Sequence, residues 1–259
     1  MAGNSFYNGG ESMFYELQDT AKVGKLFQNW EETMIFSCLQ KIMGQIFVTD
    51  LESPQSACAV VGCFRFYAGE PDPELILHRT GEFVIMVPQN EAWAEEIEKK
   101  LPKAHRVIRY AMKHEGEFDR NQLRMWVDEI PDGYILRPID RALYEVCLQN
   151  RATADLVAAF DGKEAYLRYG RGMVILKGTQ IVSGASSYSR YREGIEIEID
   201  TVEGERRRHL ARSASAALIL QCLEEGLYPS WDAQNLASVS LARQLGYELS
   251  YEYPAYECE

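Results

Sequence analysis

The chain has little that would suit it to a polyanion or a membrane. Its 259 residues carry 27 Lys and Arg against 39 Asp and Glu, a net charge of -12. An excess of that sign repels nucleic acid and anionic lipid and favours cationic partners. No apolar run approaches the roughly 20 residues that span a bilayer, and the opening "MAGNSFYNGGESMFYEL" lacks a basic segment followed by an apolar one. The expectations are no membrane, no nucleic acid and a cytoplasmic setting. Histidine is sparse, with His78, His105, His114 and His209 isolated and without HxxxH or HExxH spacing. The six cysteines form no CxxC pair, and most lie in apolar runs such as "IFSCLQ" and "ALILQCL". Metal is not expected, and buried free thiols are. Low-complexity tracts and short-period repeats are also missing.

What is present is an ordinary globular composition, 46% hydrophobic and 25% charged, long enough for two modest domains. Apolar spacing of three and four predicts helices over "ESMFYELQDTAKVGKLFQNW" and "EETMIFSCLQKI". Strands follow at "GQIFVTD", "SACAVVGCFRFYAG" and "GEFVIMVP". A helix capped by Asn90, a strand "AHRVIRYAMK" and a helix capped by Asp119 complete an α/β unit. Pro131, Asp132 and Gly133 in "IPDGY" give the strongest turn signal, so the expected domains are 1–131 and 132–259. The second begins with strand "GYILRPID", helices "RALYEVCLQN" and "ATADLVAAFDGKEAYLRYG", and a hairpin "GMVILKGTQIVSGASSYSRY" turning at Lys177 to Thr179. It continues with strand "GIEIEID", a helix from His209, strand "LYPSWD", helix "NLASVSLARQLG" and strand "YELSYEYPAY". The expected class is α/β, with a mixed α+β sheet.

Along "GIEIEID", Ile195, Ile197 and Ile199 share one face and Glu196, Glu198 and Asp200 the other. An acidic face in water is the plain reading. The strand nevertheless runs straight into "TVEGERRRHLA", where backbone N–H groups at a helix start and four arginines, Arg206, Arg207, Arg208 and Arg212, suit phosphate. The plain alternative there is a solvated patch paired with Glu203 and Glu205. In "YPSWDA", Pro229 and Trp231 read as a strand end and core packing, and Asp232 as a helix cap.

The stretch "TVEGERRRHLA" resembles the pyrophosphate-binding motif of the GNAT N-acetyltransferase superfamily: Arg or Gln, two variable residues, Gly, one variable, then Gly or Ala. Arg206, His209 and Ala211 stand at those positions. "NLASVSLARQLGY" is similar to the superfamily's later helix, with Asn235, Gly246 and Tyr247 matching. The context "GLYPSWDAQNLASVSLARQLGY", with "GMVILKGTQIVSGASSYS" before it, most resembles the branch containing zwittermicin-resistance acetyltransferases. The resemblance covers residues 132–259 well and the first 130 loosely.

It implies a GNAT acyl-CoA N-acyltransferase fold in the C-terminal half, behind an α/β N-terminal domain that shapes the acceptor site. It implies acetyl-CoA as cosubstrate and a small-molecule primary amine as acceptor. The cofactor-binding residues carried over are Thr201, Val202, Arg206, Arg207, Arg208, His209, Leu210, Ala211, Asn235 and Ser238. Glu196 and Glu198 stand as general bases, since the acceptor amine must be neutral to attack. Two departures matter: His209 replaces the usual Gly, and Ala242 stands where many relatives carry a tyrosine that protonates the leaving thiolate. Tyr188, Tyr191 and Tyr253 are candidate replacements, Tyr188 among the expected catalytic set. A catalytically weak acyl-CoA-binding or sensing module is the alternative function. The oligomeric state is left open, a homodimer among the choices.

Overall fold

The computed structural model describes residues 14–77, 83–114 and 116–259. His78 and the first residues of the predicted N-terminal helix lie outside them. The chain divides into two compact units, Met1–Arg109 with Tyr253–Glu259, and Tyr110–Glu252. The architecture is mixed α/β, as the sequence pattern implied.

The first unit contains β1 (Tyr15–Glu16), α1 (Thr33–Leu39), β2 (Gln45–Val48), β3 (Ser56–Val61), β4 (Phe64–Gly69), α2 (Pro73–Leu77), β5 (Val84–Pro88), α3 (Glu91–Lys100) and most of β6 (His105–Met112). The predicted helix over 11–30 is not formed. Its described part is β1, which pairs with β2 at Tyr15↔Val48, followed by a 3-10 turn at Thr20–Val23 capped by Asp19. Sheet pairing overrides a helical spacing that isolated helix propensity would not hold alone. Strands β1 to β4 pair antiparallel in order, and β5 joins β4 in parallel across a crossover carrying α2. Asn90 caps α3 by accepting from the Trp93 N–H, as expected. Phe47, Tyr67, Leu75, Met86, Trp93 and Ile97 fill this core.

The second unit holds α4 (Arg120–Asp128), β7 (Tyr134–Pro138), α5 (Arg141–Gln149), α6 (Asp155–Ala158), α7 (Gly162–Tyr169), β8 (Gly172–Lys177), β9 (Gln180–Tyr191), β10 (Gly194–Thr201), α8 (Leu210–Glu224), β11 (Tyr228–Ser230), β12 (Asp232–Ala233), α9 (Leu236–Leu245) and most of β13 (Leu249–Cys258). Strands β7 to β10 are antiparallel and β10 pairs in parallel with β11, so the sheet order is β11-β10-β9-β8-β7. The turn at Pro131 lies inside this unit, because α4 before it packs on α8 after it. Ser213 donates to the Trp126 carbonyl at 2.6 Å to seal that contact. The Ala and Ser positions of α8 are buried nearly all round, letting it lie close to both α4 and the sheet.

Two strands, β6 and β13, run across the division between the units in sequence. The end of β6 pairs with β12 in the second unit, at Asp232↔Ala111 and Ala233↔Tyr110. The end of β13 pairs with β5 in the first, from Tyr256↔Met86 to Cys258↔Val84.

Candidate active site

Strand β10 organises the site. It stays paired with β9 from Gly194↔Tyr191 to Thr201↔Ser183. On its other side β11 accompanies it for only three pairs, ending at Glu196↔Ser230. Antiparallel pairing alternates the direction of backbone groups. The Val202 N–H donates to Val182 on the β9 side, whereas the Ile199 N–H is taken at 3.1 Å by the Glu198 carboxylate. Ile197, Ile199 and Thr201 therefore present their backbone to the side β11 has left, an open edge able to pair with an extended amide-bearing ligand.

That edge leads into the arginine turn. Arg207 and His209 both take left-handed conformations, each with φ 62°. Such backbone is uncommon outside glycine and costs on the order of 1–2 kcal/mol per residue. It gives His209 the geometry for which the motif's glycine is suited. Backbone N–H groups from Arg207 to Arg212 have no partner among the described residues, and no side chain caps α8. With the positive end of a 15-residue helix behind them, they form a concavity of positive potential. Arg206, Arg207 and Arg208 are exposed around it. The Leu210 side chain is buried in the core and Ala211 is half-buried, so only their N–H groups can serve a ligand.

Some predicted residues are engaged elsewhere. Both backbone groups of Val202 are committed, its N–H to Val182 and its carbonyl to the Glu205 N–H, so it has none left to pair with a ligand. Arg212 is not at the turn's surface: its guanidinium binds Glu129 at 2.6 Å and stacks 3.8 Å over Trp126, pinning α4 to α8. Arg208 pairs with Glu205, which also takes Lys177 and the Tyr134 hydroxyl, so part of the solvated-patch reading holds. Asn235 caps α9 through its side-chain oxygen to the Ser238 N–H at 2.9 Å. Its amide nitrogen has no partner among the described residues. Ser238 Oγ accepts from the Trp231 indole at 3.1 Å. The N-cap of α9 is Asn235, and Asp232 lies in β12, paired with Ala111.

The acidic face of β10 is only partly in water, with Glu198 and Asp200 half-buried. Glu196 is buried, and α6 packs on β9 and β10. Asp200 is pushed up to about 6 by burial and by the like charge of Asp155, partly offset by Arg206. Tyr188 is the extra residue of a β-bulge, lying between Ser189↔Glu196 and Ser187↔Ile197. Tyr253 clusters with the first unit. Ala242 is fully buried in the core, where its methyl can donate nothing. All six cysteines are free thiols, and burial pushes Cys38, Cys58, Cys147 and Cys222 up to about 12, far from nucleophilic use.

Sequence reasoning did not single out Ser189, Ser230, or the backbone of Ile197 and Ile199. The only signal for Ser230 is a small polar residue closing an otherwise apolar strand. None of the described helices is long and apolar enough to cross a membrane.

The family model described as GNAT acetyltransferase matches residues 24–256. An uncharacterized N-acetyltransferase of Bacillus subtilis, YdfB, is 29% identical over 134 residues, which is 49% of each chain. The present chain thus spans about half the length of that curated relative. The crystal structure of a GCN5-related N-acetyltransferase-like protein from Streptococcus suis superposes with a TM-score of 0.90 at 46% identity, over 93% of this chain and 99% of that one. A tandem GNAT protein from the clavulanic acid biosynthesis pathway shares the fold, with a TM-score of 0.54 at 13% identity over 95% and 98% of the two chains.

Proposed function

The chain belongs to the GNAT acetyltransferase family, and from that premise we propose that its second unit transfers acetyl from acetyl-CoA to a primary amine of a small molecule. The observation that carries this reading is a coincidence along β10. An edge without a strand partner, Ile197 to Thr201, ends in a run of unpartnered N–H groups ringed by three arginines. An extended ligand with amides in its arm and phosphates at its end matches both features at once.

Acetyl-CoA would supply the activated acetyl thioester. The Ile197 backbone, the Ile199 carbonyl and the Thr201 N–H would pair with the amides of its arm, since Glu198 holds the Ile199 N–H and Arg206 the Thr201 carbonyl. The N–H groups of Arg207 to Ala211, with the guanidinium groups of Arg206 to Arg208, would receive the phosphates. Asn235 would add its amide nitrogen, and Ser238 its hydroxyl. Glu196 or Glu198 would take the acceptor's proton, and their charge with that of the whole chain would draw a protonated amine toward the strand. We assign the chain to the zwittermicin-resistance-like branch on the motif context of residues 226–247. The free thiols fit a reducing compartment, and we place the reaction in the cytoplasm.

The second reading is a weakly catalytic acyl-CoA-binding or sensing module, favoured by His209 at the glycine position and by buried Ala242. One experiment series separates the two. Acetyl-CoA should raise the melting temperature, and the absence of a shift at millimolar ligand would sink both readings. Release of free thiol in the presence of an amine panel marks an enzyme, and binding without release marks a sensor. A Glu198→Gln protein that turns over at full rate would leave Glu196 as the base.

A further inference from the structure

We propose that the paired hydroxyls of Ser230 and Tyr191, placed where β10 and β11 part, donate the proton taken up by the departing thiolate. This rests on the acetyl-transfer reading above.

The register places the groups. Paired residues on neighbouring strands share a face. Gly194 pairs with Tyr191 and Tyr228, and Glu196 pairs with Ser189 and Ser230. Tyr191, Ser189, Glu196 and Ser230 therefore stand on one face of the sheet, opposite Ile195 and Ile197, which belong to the core beneath α8. The Glu196↔Ser230 pair is the last one before the strands separate, so this polar group sits at the inner end of the open edge.

The contacts are close and dry. Tyr191 Oη and Ser230 Oγ are 2.9 Å apart and both side chains are buried. Gly194 permits this, because a Cβ there would run into the Tyr228 carbonyl and the Tyr191 hydroxyl. Ser189 Oγ is buried without a hydrogen-bond partner among the described residues, a polar atom left in the cluster that a ligand could satisfy. Burial and the neighbouring Glu196 charge hold the Tyr191 phenol well above its ordinary range. At rest it keeps its proton and releases it only as another arrives. Each hydroxyl is both donor and acceptor, so the pair can pass a proton without moving a heavy atom.

The proton count closes. In the overall reaction a C–N bond forms and the C–S bond breaks, leaving its electron pair on sulfur. Glu196 takes the amine proton, Ser230 gives its proton to sulfur, Tyr191 replenishes Ser230, and Glu196 returns a proton to Tyr191. One proton has moved from amine to thiol, with none drawn from solvent.

The test compares wild type with Ser230→Ala, Tyr191→Phe, the double variant and Ser230→Cys. The double variant removes both partners and so strands neither hydroxyl. Ser230→Cys keeps a proton donor at the same place. Turnover should fall about a hundredfold or more in Ser230→Ala and in the double variant, with partial rescue in Ser230→Cys. Calorimetric affinity for acetyl-CoA should stay within about twofold, the loss falling on kcat. A readout independent of turnover is the ultraviolet absorbance of the thiolate of bound CoA: a hydroxyl donor stabilises it, so its titration moves to higher pH in Ser230→Ala. Wild-type turnover in the double variant, or an unmoved thiolate titration, overturns the relay and leaves acetyl transfer standing. Failure of the wild type to bind acetyl-CoA overturns the acetyl-transfer reading itself, and the relay with it.

Discussion

The two units use the same connection, an antiparallel run ending in a parallel pair joined across a helix, and they finish it in opposite ways. In the first, β4 and β5 remain paired from Phe64↔Ile85 to Tyr67↔Pro88. Gln89 then extends the closure, its N–H donating to the Tyr67 carbonyl and its side-chain oxygen accepting from the Gly69 N–H. The Trp93 indole donates to the Gly69 carbonyl and stacks 5.1 Å from Tyr67. The link carries Glu70, Asp72 and Glu74, and Asp72 already accepts from the Glu74 N–H and the Thr49 hydroxyl. In the second unit the pair parts after Ser230, the link carries Arg206 to Arg208, and α8 has no side-chain cap. One amide and one indole close the edge in one unit, while a carboxylate occupies the position that the proposed phosphate-binding N–H groups hold in the other. The proposed cleft is a sheet left unfinished at one point.

The largest expected effect comes from breaking the closed pair. Trp93→Ala removes a fully buried side chain and should cost about 3–5 kcal/mol, read as a lower denaturation midpoint of the first unit. Acetyl-CoA affinity should be retained, and its loss would mean the two connections are not independent. Next comes the charge of the open one. Arg206→Glu with Arg208→Glu should weaken acetyl-CoA binding about a hundredfold, roughly 3 kcal/mol, by calorimetry. A change below threefold would remove the turn as the phosphate site. The stoichiometry of the same titration should be one acetyl-CoA per chain, and two would contradict the closure at Gln89 and Trp93.

Smaller effects refine the open side. Burial and the nearby Asp155 raise Asp200 to about 6 from its ordinary value of 3.8. A carboxyl raised on folding contributes stability that is fully present below its unfolded value and lost as pH climbs through about 6. Asp200→Asn should therefore raise the melting temperature above pH 6 and do little at pH 4, and equal shifts at both would exclude titration as the cause. Last, His209→Gly relieves the left-handed backbone and should gain about 1 kcal/mol, or some 2–4 °C. No gain would show that the histidine is held by contacts outweighing its strain.

Much of the second unit was legible because its signals are local. Alternation set β10, Asn235 capped its helix through its own side chain, and the arginine turn announced itself by charge. Asn90 and Asp119 were legible for the same reason. What was not legible depends on partners distant in the chain. Residues 14–30 became strand and 3-10 turn because β2 was there to pair with. Arg212 looked like its neighbours and was claimed by Glu129 and Trp126 from α4. The loss of Val202 follows from the phase of pairing with β9, and the open edge follows from where β11 turns away. No spacing in the sequence records either.

The return of the chain to the first unit at Tyr253 bears on how the molecule is made. The partner of β5 is the stretch Tyr256 to Cys258, which leaves the ribosome only after all of residues 110–252. At about 5–20 residues per second, β5, whose five residues are buried in the finished fold, waits on the order of ten seconds with one edge unpaired. During translation the first unit is thus completed after the second, and the nascent chain carries a sticky strand while residues 110–252 are made.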